Sequence, residues 1–264
     1  MKERLDVILV NKGLAPSRDN AKRTIMAGLV TVDGVVETKS GQKFNVDSEF
    51  AVKEKLLKYV SRGGIKLEKA IDSFGIDLAN CYTVDMGAST GGFTDCMLMN
   101  GAVKVYALDV GYGQLDYKLR VDSRVINMEK TNIRYLDMNL IAKPIDFISI
   151  DVSFISLRHM FPVASALLKD DGAVMCLIKP QFEAGREQVG KKGIVRDDRV
   201  HLDVIEKVIG YAALEGLYPH GLDYSPVKGT KGNIEYLLYL KKSESDSDIS
   251  PREVVARAHS ELDD

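Results

Sequence analysis

The chain has 264 residues, of which 45% are hydrophobic and 28% are charged. This length exceeds that of a usual single domain and favours two domains with a sizeable buried core. The formal net charge of −2 excludes a chain that is basic throughout. The charge is unevenly distributed, because residues 1–69 hold 14 basic and 9 acidic residues, whereas 241–264 hold 4 basic and 7 acidic ones. A basic amino-terminal part indicates that one end of the chain contacts a polyanion.

The cysteines and the apolar runs indicate the compartment. Cys81, Cys96 and Cys176 are odd in number and lie in or near apolar runs, so they are expected to be small buried residues in a reducing environment. They lack the spacing of a zinc site, and no metal is expected. The apolar run at the start is too short for a signal peptide, and no stretch approaches the length of a membrane span. The sequence therefore predicts a soluble cytoplasmic protein.

Residues 1–57 are predicted to form a small α+β domain. Apolar residues recur at helical spacing in residues 5–9, and again in a helix that begins after Ser17, a good N-cap residue. The turn Asp33-Gly34 lies between two valine-rich runs and predicts a β-hairpin. A further strand is expected at residues 50–52.

Residues 58–64 end in the sequence S-R-G-G and are predicted to be a flexible linker. In residues 65–242, strands alternate with helices, which predicts a Rossmann-like α/β fold with a mostly parallel sheet of seven strands. Residues 243–264 are predicted to be a polar linker and a short helix that a capping box opens at Ser250. The seven predicted strands span residues 82–86, 104–109, 125–128, 147–151, 174–179, 217–224 and 234–240.

The sequence D-M-G-A-S-T-G-G-F, residues 85–93, lies where a predicted strand gives way to a helix. Small side chains let a ligand approach the backbone, and a helix start offers N–H donors. Ser89 stands where a dinucleotide fingerprint requires its second glycine, so the loop instead resembles the first motif of S-adenosylmethionine enzymes. A dinucleotide site and a purely structural turn remain alternatives. The expected cofactor contacts are Asp85, Gly87, Ser89, Thr90, Gly91, Gly92 and Phe93.

Two further acidic residues are candidates for binding the nucleoside part of the cofactor. Asp109 closes the second strand, 22 residues after Gly87, and its carboxylate can accept hydrogen bonds from both hydroxyls of an adenosine ribose. Glu129, or its neighbour Asn132, follows the third strand and is a candidate to face the adenine. A solvated side chain is the alternative for each of these two.

Four charged residues occur where an unpaired charge is costly. Asp151 and Lys179 end apolar strands, Glu235 lies inside a third, and Lys66 is at the start of the helix before the cofactor strand. Because the ligands of open α/β sheets bind at the carboxyl edge, these side chains are expected to converge beside the cofactor loop. Asp151 is also a candidate cofactor contact.

These residues carry a family resemblance. Residues 62–240 resemble the FtsJ/RrmJ-type ribose 2′-O-methyltransferases, whose Lys-Asp-Lys-Glu tetrad falls on the four charged residues just named. Nearly the whole chain resembles the TlyA family, historically labelled hemolysin A, in residues 59–64, 109–115, 151–157 and 178–183. The resemblance implies S-adenosylmethionine as cofactor, cytidine 2′-hydroxyls of ribosomal RNA as substrate and ribosomal subunits as partners. Residues 4–6, 17–22 and 28–34 resemble the S4 RNA-binding domain.

The tetrad allows two mechanisms. Lys179 could take the proton of the ribose hydroxyl if burial and the nearby Lys66 disfavour its charged form, while Asp151 and Glu235 orient the lysines and hold the sugar. Alternatively, Lys179 steers the hydroxyl and water takes the proton.

Clustered cations are candidates to grip RNA phosphates, although solvated helix faces and surface loops have the same composition. In the first domain these are Arg4, Arg18, Lys22, Arg23 and Lys43. In the linker the candidate is Arg62, and in the glycine-rich loop of residues 185–196 the candidates are Lys191, Lys192 and Arg196.

Three other functions compete with RNA methylation. A non-catalytic RNA-binding or ribosome-assembly factor does not need four buried charges, and a membrane-active hemolysin would need an amphipathic or spanning segment. A pseudouridine synthase would not need the loop of residues 85–93. The sequence leaves the oligomeric state and the modified nucleotide open.

Overall fold

A computed structural model describes residues 2–26, 28–52, 58–142, 144–245 and 249–262. Arg23 is one of the predicted RNA contacts, and its side chain lies outside the part of the chain that the structure describes. The chain divides into two units, Met1–Lys58 and Tyr59–Asp264. Tyr59 is 2% exposed and a helix begins at Gly63, so residues 59–64 pack as part of the second unit and differ from the flexible linker that their composition predicts.

The described part of the first unit contains two helices and five three-residue strands. Strand β2 pairs with both β3 and β5, and β1 pairs with β4, all in antiparallel fashion. The elements are, in chain order, β1 (Lys2–Arg4), α1 (Leu5–Asn11), α2 (Arg18–Met26), β2 (Val30–Val32), β3 (Val35–Glu37), β4 (Lys43–Asn45) and β5 (Phe50–Val52).

The core of the first unit confirms the helical spacing seen in the sequence. The hydroxyl of Ser17 caps α2 by accepting a hydrogen bond from the N–H of Asn20 at 3.2 Å. Asp33 and Gly34 have φ angles of 50° and 81°, as a tight hairpin turn between β2 and β3 requires. The buried core residues are Leu5, Leu9, Ala15, Ala21, Ile25, Val30 and Val32.

The second unit alternates strands and helices. Its described elements are α3 (Gly63–Phe74), β6 (Tyr82–Met86), α4 (Gly92–Met99), β7 (Lys104–Leu108), α5 (Tyr117–Arg120), β8 (Val125–Met128), β9 (Ile145–Ile150), α6 (Phe161–Leu167), β10 (Leu168–Ile178), α7 (Pro180–Glu183), α8 (Asp198–Leu214), β11 (Tyr218–Tyr224), β12 (Tyr236–Lys241) and α9 (Pro251–Leu262).

The seven strands form one sheet in the order β11-β12-β10-β9-β6-β7-β8, which confirms the predicted seven-stranded, mostly parallel sheet. Strand β12 alone among the described strands of this sheet runs against its neighbours, between β10 and β11. The chain moves from β6 to β7 and β8 on one side, and from β9 to β10 on the other. The carboxyl end of β6 is therefore the switch point where ligands bind in such sheets.

Several boundaries differ from those predicted. Strand β9 begins two residues before 147, β10 begins at Leu168, and the α-helix predicted from residue 157 begins at Phe161. Glu235 precedes β12 instead of lying inside it. Apolar runs indicate which residues are buried, but the start of a strand depends on where a neighbouring strand can form hydrogen bonds.

Helix α9 is an integral part of the second unit. The hydroxyl of Ser250 accepts a hydrogen bond from the N–H of Glu253 at 3.4 Å, at the predicted start. Val254, Val255 and Ala258 are buried in the main core. In the described ranges, the structure contains no helix whose length and apolar character would allow it to cross a bilayer.

Candidate active site

The loop between β6 and α4 depends on glycines for its path. Gly87 and Gly91 have φ angles of 92° and 93°, which L-residues rarely adopt. A Cβ atom on Gly87 would lie 2.4 Å from the carbonyl oxygen of Asp151, so glycine is needed for the close packing of the backbone after β6 against the backbone after β9. The start of α4 then presents N–H groups that have no partner within the helix.

A cavity of about 300 Å³ opens at this edge of the sheet. Its walls contain the predicted loop residues Gly87, Ser89, Thr90, Gly92 and Phe93 together with all four members of the predicted tetrad, Lys66, Asp151, Lys179 and Glu235. The structure thus brings residues from five separate segments to one place.

Strand register explains the convergence. Met86 is aligned with Ile150, and Ile178 with Tyr236, so the residues that follow β6, β9 and β10 and the residue that precedes β12 share one edge. Because β12 is antiparallel, its first residue meets the last residue of β10. Glu235 reaches the site for that reason, although it lies outside the strand.

The tetrad forms two ion pairs. The Nζ atom of Lys66 donates to Oε2 of Glu235 at 2.5 Å, and both residues are nearly buried, with exposed fractions of 9% and 2%. The Nζ atom of Lys179 lies 2.5 Å from Oδ1 of Asp151. Each lysine therefore has its own carboxylate.

Among the cavity residues, Ser153 and Lys228 were not identified as functional from the sequence, and Arg62 was assigned another role. Ser153 accepts a hydrogen bond from Nζ of Lys179 at 3.0 Å. Lys228 lines the wall near Glu235, and Arg62, predicted as an RNA contact, lines the same cavity. An exposed serine or lysine in a loop has no distinctive pattern in a sequence. The placement of Ser153 two residues after Asp151 was the only available signal.

Asp85 does not line the cavity, in contrast to its predicted cofactor contact. Its side chain is fully buried and accepts hydrogen bonds from the hydroxyls of Thr94 at 2.7 Å and Ser149 at 3.1 Å. Burial raises the pKa of Asp85 to about 7, although these two hydrogen bonds oppose the shift. Asp85 thus braces the start of α4 against β9 from behind the loop.

Asp109 holds the loop and retains the capacity to bind a ligand. Its Oδ2 accepts a hydrogen bond from the N–H of Ser89 at 2.8 Å, and its Oδ1 accepts one from Gly111 at 2.7 Å. A carboxylate has about four lone-pair sites, so two remain for hydroxyl donors. Asp109 is not part of the cavity wall itself.

The carboxylate of Glu129 accepts hydrogen bonds from neighbouring protein groups, whereas the sequence predicted that it faces the adenine. Its Oε1 accepts hydrogen bonds from the N–H groups of Gln114 at 2.8 Å and Leu115 at 3.0 Å, and Arg120 binds the same carboxylate. Burial would raise the pKa of Glu129, but the backbone hydrogen bonds outweigh it and lower the pKa to about 2. Glu129 therefore anchors the segment that follows β7.

Two predicted RNA contacts of the first unit, Arg4 and Arg18, pair with one buried acid. Asp6 is fully buried and pairs with Arg4 at 2.9 Å and with Arg18 at 3.0 Å. The hydrogen bond from Arg4 lowers the pKa of Asp6 to about 2, against the effect of burial. Lys43 stands opposite Arg4 in the β1–β4 ladder, and Lys22 pairs with the exposed Asp19 at 3.2 Å. The structure thus groups Arg4, Arg18 and Lys43.

The loop of residues 185–196 brings its three predicted RNA contacts to one surface cavity. Lys191 and Lys192 are exposed and line a surface cavity with Asp197, away from the catalytic one. Arg196 borders that cavity too, and a second one beside the turn of residues 228–234.

The residues present fit S-adenosylmethionine. The small side chains of Ala88, Ser89 and Thr90 leave space against the backbone, and the start of α4 would receive the carboxylate of the amino-acid end. The free lone pairs of Asp109 would accept hydrogen bonds from the ribose hydroxyls.

Comparison with known proteins identifies the family. Residues 59–242 match the FtsJ-like methyltransferases, and residues 3–49 match the S4 domain. YqxC of Bacillus subtilis, named as a candidate rRNA methyltransferase, is 53% identical over 90% of this chain and 85% of its own length. The 16S/23S rRNA (cytidine-2′-O)-methyltransferase TlyA of Mycobacterium tuberculosis is 39% identical over 98% of this chain and 97% of its own length.

A solved structure of a hemolysin candidate from Streptococcus thermophilus is 48% identical and covers 99% of this chain and 97% of its own, with a TM-score of 0.80. The cavity geometry and these similarities agree. The chain belongs to the FtsJ-like methyltransferase family and, within it, to the TlyA proteins, with an S4 domain ahead of its methyltransferase domain.

Proposed function

We propose that the chain transfers a methyl group from S-adenosylmethionine to the 2′-hydroxyl of a cytidine in ribosomal RNA, and that it acts on ribosomal subunits in the cytoplasm. The observation that carries the proposal is the pair of lysine–carboxylate contacts in the cavity beside the glycine-rich loop. The names of its relatives add the RNA and the cytidine.

A ribose hydroxyl is a poor nucleophile, so the cavity must position it and manage its proton. When bound, S-adenosylmethionine supplies a methyl group on a positively charged sulfur. Lys179 donates to Ser153 and lies against Asp151, and an ammonium group has three N–H donors. We assign a remaining donor of Lys179 to the oxygen of the ribose hydroxyl, which it would hold in line for transfer while water takes the proton.

Lys66 and Glu235 would fix the other side of the sugar. Their contact is short and nearly buried, so both side chains are held in place before substrate binds. A carboxylate such as Glu235 accepts hydrogen bonds from ribose hydroxyls, and Lys66 limits the electrostatic cost of keeping that carboxylate buried.

An exposed aromatic side chain favours the proposal that the substrate is RNA with an unpaired nucleotide. Phe154 follows Ser153, is 90% exposed and has a φ angle of 63°, which is strained for a phenylalanine. Its ring lies 4.8 Å from that of Phe182. Exposed aromatic rings stack on single-stranded bases, so Phe154 is a suitable surface for a base next to the catalytic cavity.

The proposal is tested with ribosomal subunits from cells that lack the gene. The purified chain and methyl-labelled S-adenosylmethionine are incubated with small and with large subunits, and the label is mapped to its nucleotide. We expect label on the 2′-oxygen of a cytidine, and none with Lys179→Ala. Label on a base would contradict the proposal, and tight RNA binding without label would favour the non-catalytic assembly factor.

A further inference from the structure

A second cavity, of about 480 Å³, lies beside the catalytic one. We call it the basic pocket. Its walls are residues 194–196 of the glycine-rich loop, Lys228, Lys231, Gly232 and Ile234 of the turn before β12, and His259 of α9. Among the described residues that line it, the charged side chains are Arg196, Lys228 and Lys231, and none is acidic.

The walls of the basic pocket are fixed by a buried asparagine. Asn233 is 2% exposed, its Nδ2 donates to the carbonyl of Gly193 at 3.0 Å, and its Oδ1 accepts from the N–H of Val195 at 3.1 Å. The carbonyl of Asn233 also accepts a hydrogen bond from the N–H of Gly229 at 2.8 Å. One side chain therefore ties the loop to the turn.

The histidine wall is tied to the same loop. His259 Nε2 lies 3.1 Å from Nδ1 of His201, and His201 Nε2 lies 3.1 Å from the carbonyl of Val195. His201 is fully buried, and its two contacts link α9 to the loop. The pocket is incomplete without α9.

Two cations of the basic pocket are available to bind an anionic ligand. Arg196 and Lys231 form no ion pair with any residue in the described ranges. Lys231 has a φ angle of 63°, a conformation that L-residues rarely adopt and that clusters at functional sites. The like charges of Arg196 and Lys231 line one cavity and repel each other, and an anion between them relieves this repulsion.

We infer that the basic pocket binds a backbone phosphate of the RNA, within two linkages of the nucleotide whose ribose is methylated. The inference rests on the proposed function. Lys228 lines both cavities, and Ile234 of the pocket precedes Glu235 of the tetrad. Every 2′-hydroxyl in an RNA strand has phosphates next to it, so a strand in the catalytic cavity brings phosphates to this side. Such contacts fix the position of the strand without reading its bases.

The first experiment compares three full-length proteins: the parent, Arg196→Ala/Lys231→Ala, and Arg252→Ala, an exposed arginine of α9 outside the pocket. Binding of an rRNA fragment that contains the target is measured from about 50 to about 200 mM salt. The pocket variant should bind about tenfold more weakly, with a salt slope lower by about 1, and should bind S-adenosylhomocysteine like the parent. Unchanged RNA affinity and slope would overturn the inference.

A second experiment identifies the phosphate. The same fragment is made with one uncharged methylphosphonate linkage, placed in turn at each linkage near the target. The parent should lose affinity at one linkage, and the pocket variant should lose nothing further there, while Arg252→Ala behaves as the parent. Losses that add at every linkage would overturn the inference.

Two controls separate the possible failures. Micromolar binding of inorganic phosphate to the parent that the pocket variant lacks, with RNA binding unchanged, would assign the pocket to a free anion and overturn the RNA inference. Methyl transfer is recorded in the same samples. A parent that binds RNA through the pocket but transfers no methyl group would contradict the proposed function, whereas normal transfer with an unchanged pocket variant would contradict only the pocket.

Discussion

Lys66 and Lys179 of the catalytic cavity are each paired with one carboxylate, and this arrangement decides what single substitutions do. Removing Asp151 would leave Lys179 with Ser153 as its remaining described polar contact. Removing Glu235 would leave Lys66 nearly buried beside an empty space. Because one member of a buried pair is costly without the other, alanine at any carboxylate perturbs both folding and chemistry. Substitutions of Lys179 are easier to interpret, since Asp151 is partly exposed.

Lys179→Ala should reduce single-turnover methyl transfer by at least about 100-fold, the size of loss that a misplaced reacting group causes. Binding of S-adenosylhomocysteine and RNA should change little. Lys179→Arg keeps the charge but cannot accept a proton. Partial activity in the arginine variant would support steering of the hydroxyl, whereas an arginine variant as inactive as alanine would favour Lys179 as the base. Near-parental activity of the alanine variant would remove Lys179 from the mechanism.

Asp85→Asn should change how stability depends on pH. Burial raises the pKa of Asp85 to about 7, from an ordinary value of 3.8. Between these values the folded chain keeps a proton that the unfolded chain releases, so the free energy of unfolding falls as pH rises from about 4 to about 7. Asparagine cannot ionise and can still bond to Thr94 and Ser149. Urea unfolding at about pH 5 and about pH 8 should show the variant gaining stability relative to the parent at the higher pH.

The same variant tests the placement of Asp85 behind the loop. Since Asp85 lies outside the cavity wall, S-adenosylhomocysteine should bind Asp85→Asn about as well as the parent. A large loss of cofactor affinity in a folded variant would return Asp85 to the cofactor contacts. If the difference in the free energy of unfolding between variant and parent were the same at the two pH values, the buried, protonated carboxyl would be contradicted.

At the scale of elements, the sequence predicts the helices, strands and turns that hydrophobic periodicity and turn-forming residues determine. Strands such as β10 and β12 of the large sheet have apolar runs, and the hairpin at Asp33 and Gly34 has a distinctive turn. Strands β1 and β4 were missed because three residues, all polar in β1 and two of them polar in β4, are too few to show a period of two. Their pairing makes them strands. The tetrad could be found because charged residues at apolar strand ends are unusual.

Other site features could not be predicted because they depend on tertiary contacts. The sequence of residues 85–93 looks the same whether Asp85 faces the ligand or Thr94 and Ser149. Glu129 has no local sign that the N–H groups of Gln114 and Leu115 will occupy it. The basic pocket joins residue 196 to residue 231 and residue 259, which nothing in the sequence relates.

The loop between β6 and α4 should be more sensitive to alanine than other glycine turns. Gly91 has a φ of 93°, and a Cβ there would lie 2.2 Å from Cδ1 of Leu119. Gly75, which ends α3, has a φ of 62° and open space around it. Gly75→Ala should therefore cost only the backbone strain, about 1 kcal/mol, while Gly91→Ala adds a packing clash of similar or larger size. Unfolding in urea measures both.

Cofactor binding separates the two glycine variants further. The clash at Gly91 moves the loop that lines the cavity, so affinity for S-adenosylhomocysteine should fall by about tenfold or more, an amount that corresponds to 1.4 kcal/mol. Gly75→Ala should bind it like the parent. Equal affinities in the two variants would show that the loop accommodates the added methyl group.

At the scale of the whole molecule, the two units have separate cores and the charges predict a division of labour. The first unit buries its own apolar cluster, and the second buries two others. In the first unit, Arg4 and Arg18 both neutralise the buried Asp6. If these arginines also contact RNA, substituting either one is expected to weaken RNA binding and folding together, because the buried carboxylate would lose one of its two partners. The lysines of this unit provide a test that separates the two effects.

Lys22→Ala/Lys43→Ala should weaken rRNA binding without affecting the fold or the cofactor. Lys43 is exposed on β4, and Lys22 pairs only with the exposed Asp19 among the described residues, a contact worth less than about 1 kcal/mol. If the first unit positions the RNA, removing two phosphate contacts should raise the KM for ribosomal RNA and lower the salt slope of binding by about 2. The single-turnover rate at saturating RNA and the affinity for S-adenosylhomocysteine should remain those of the parent, because the tetrad and the loop of residues 87–93 belong to the second unit.

A chain that starts at Tyr59 should show the same separation in extreme form, with cofactor binding kept and rRNA methylation lost. Methylation of ribosomal RNA by that shortened chain at the parental KM would show that the first unit does not position the substrate.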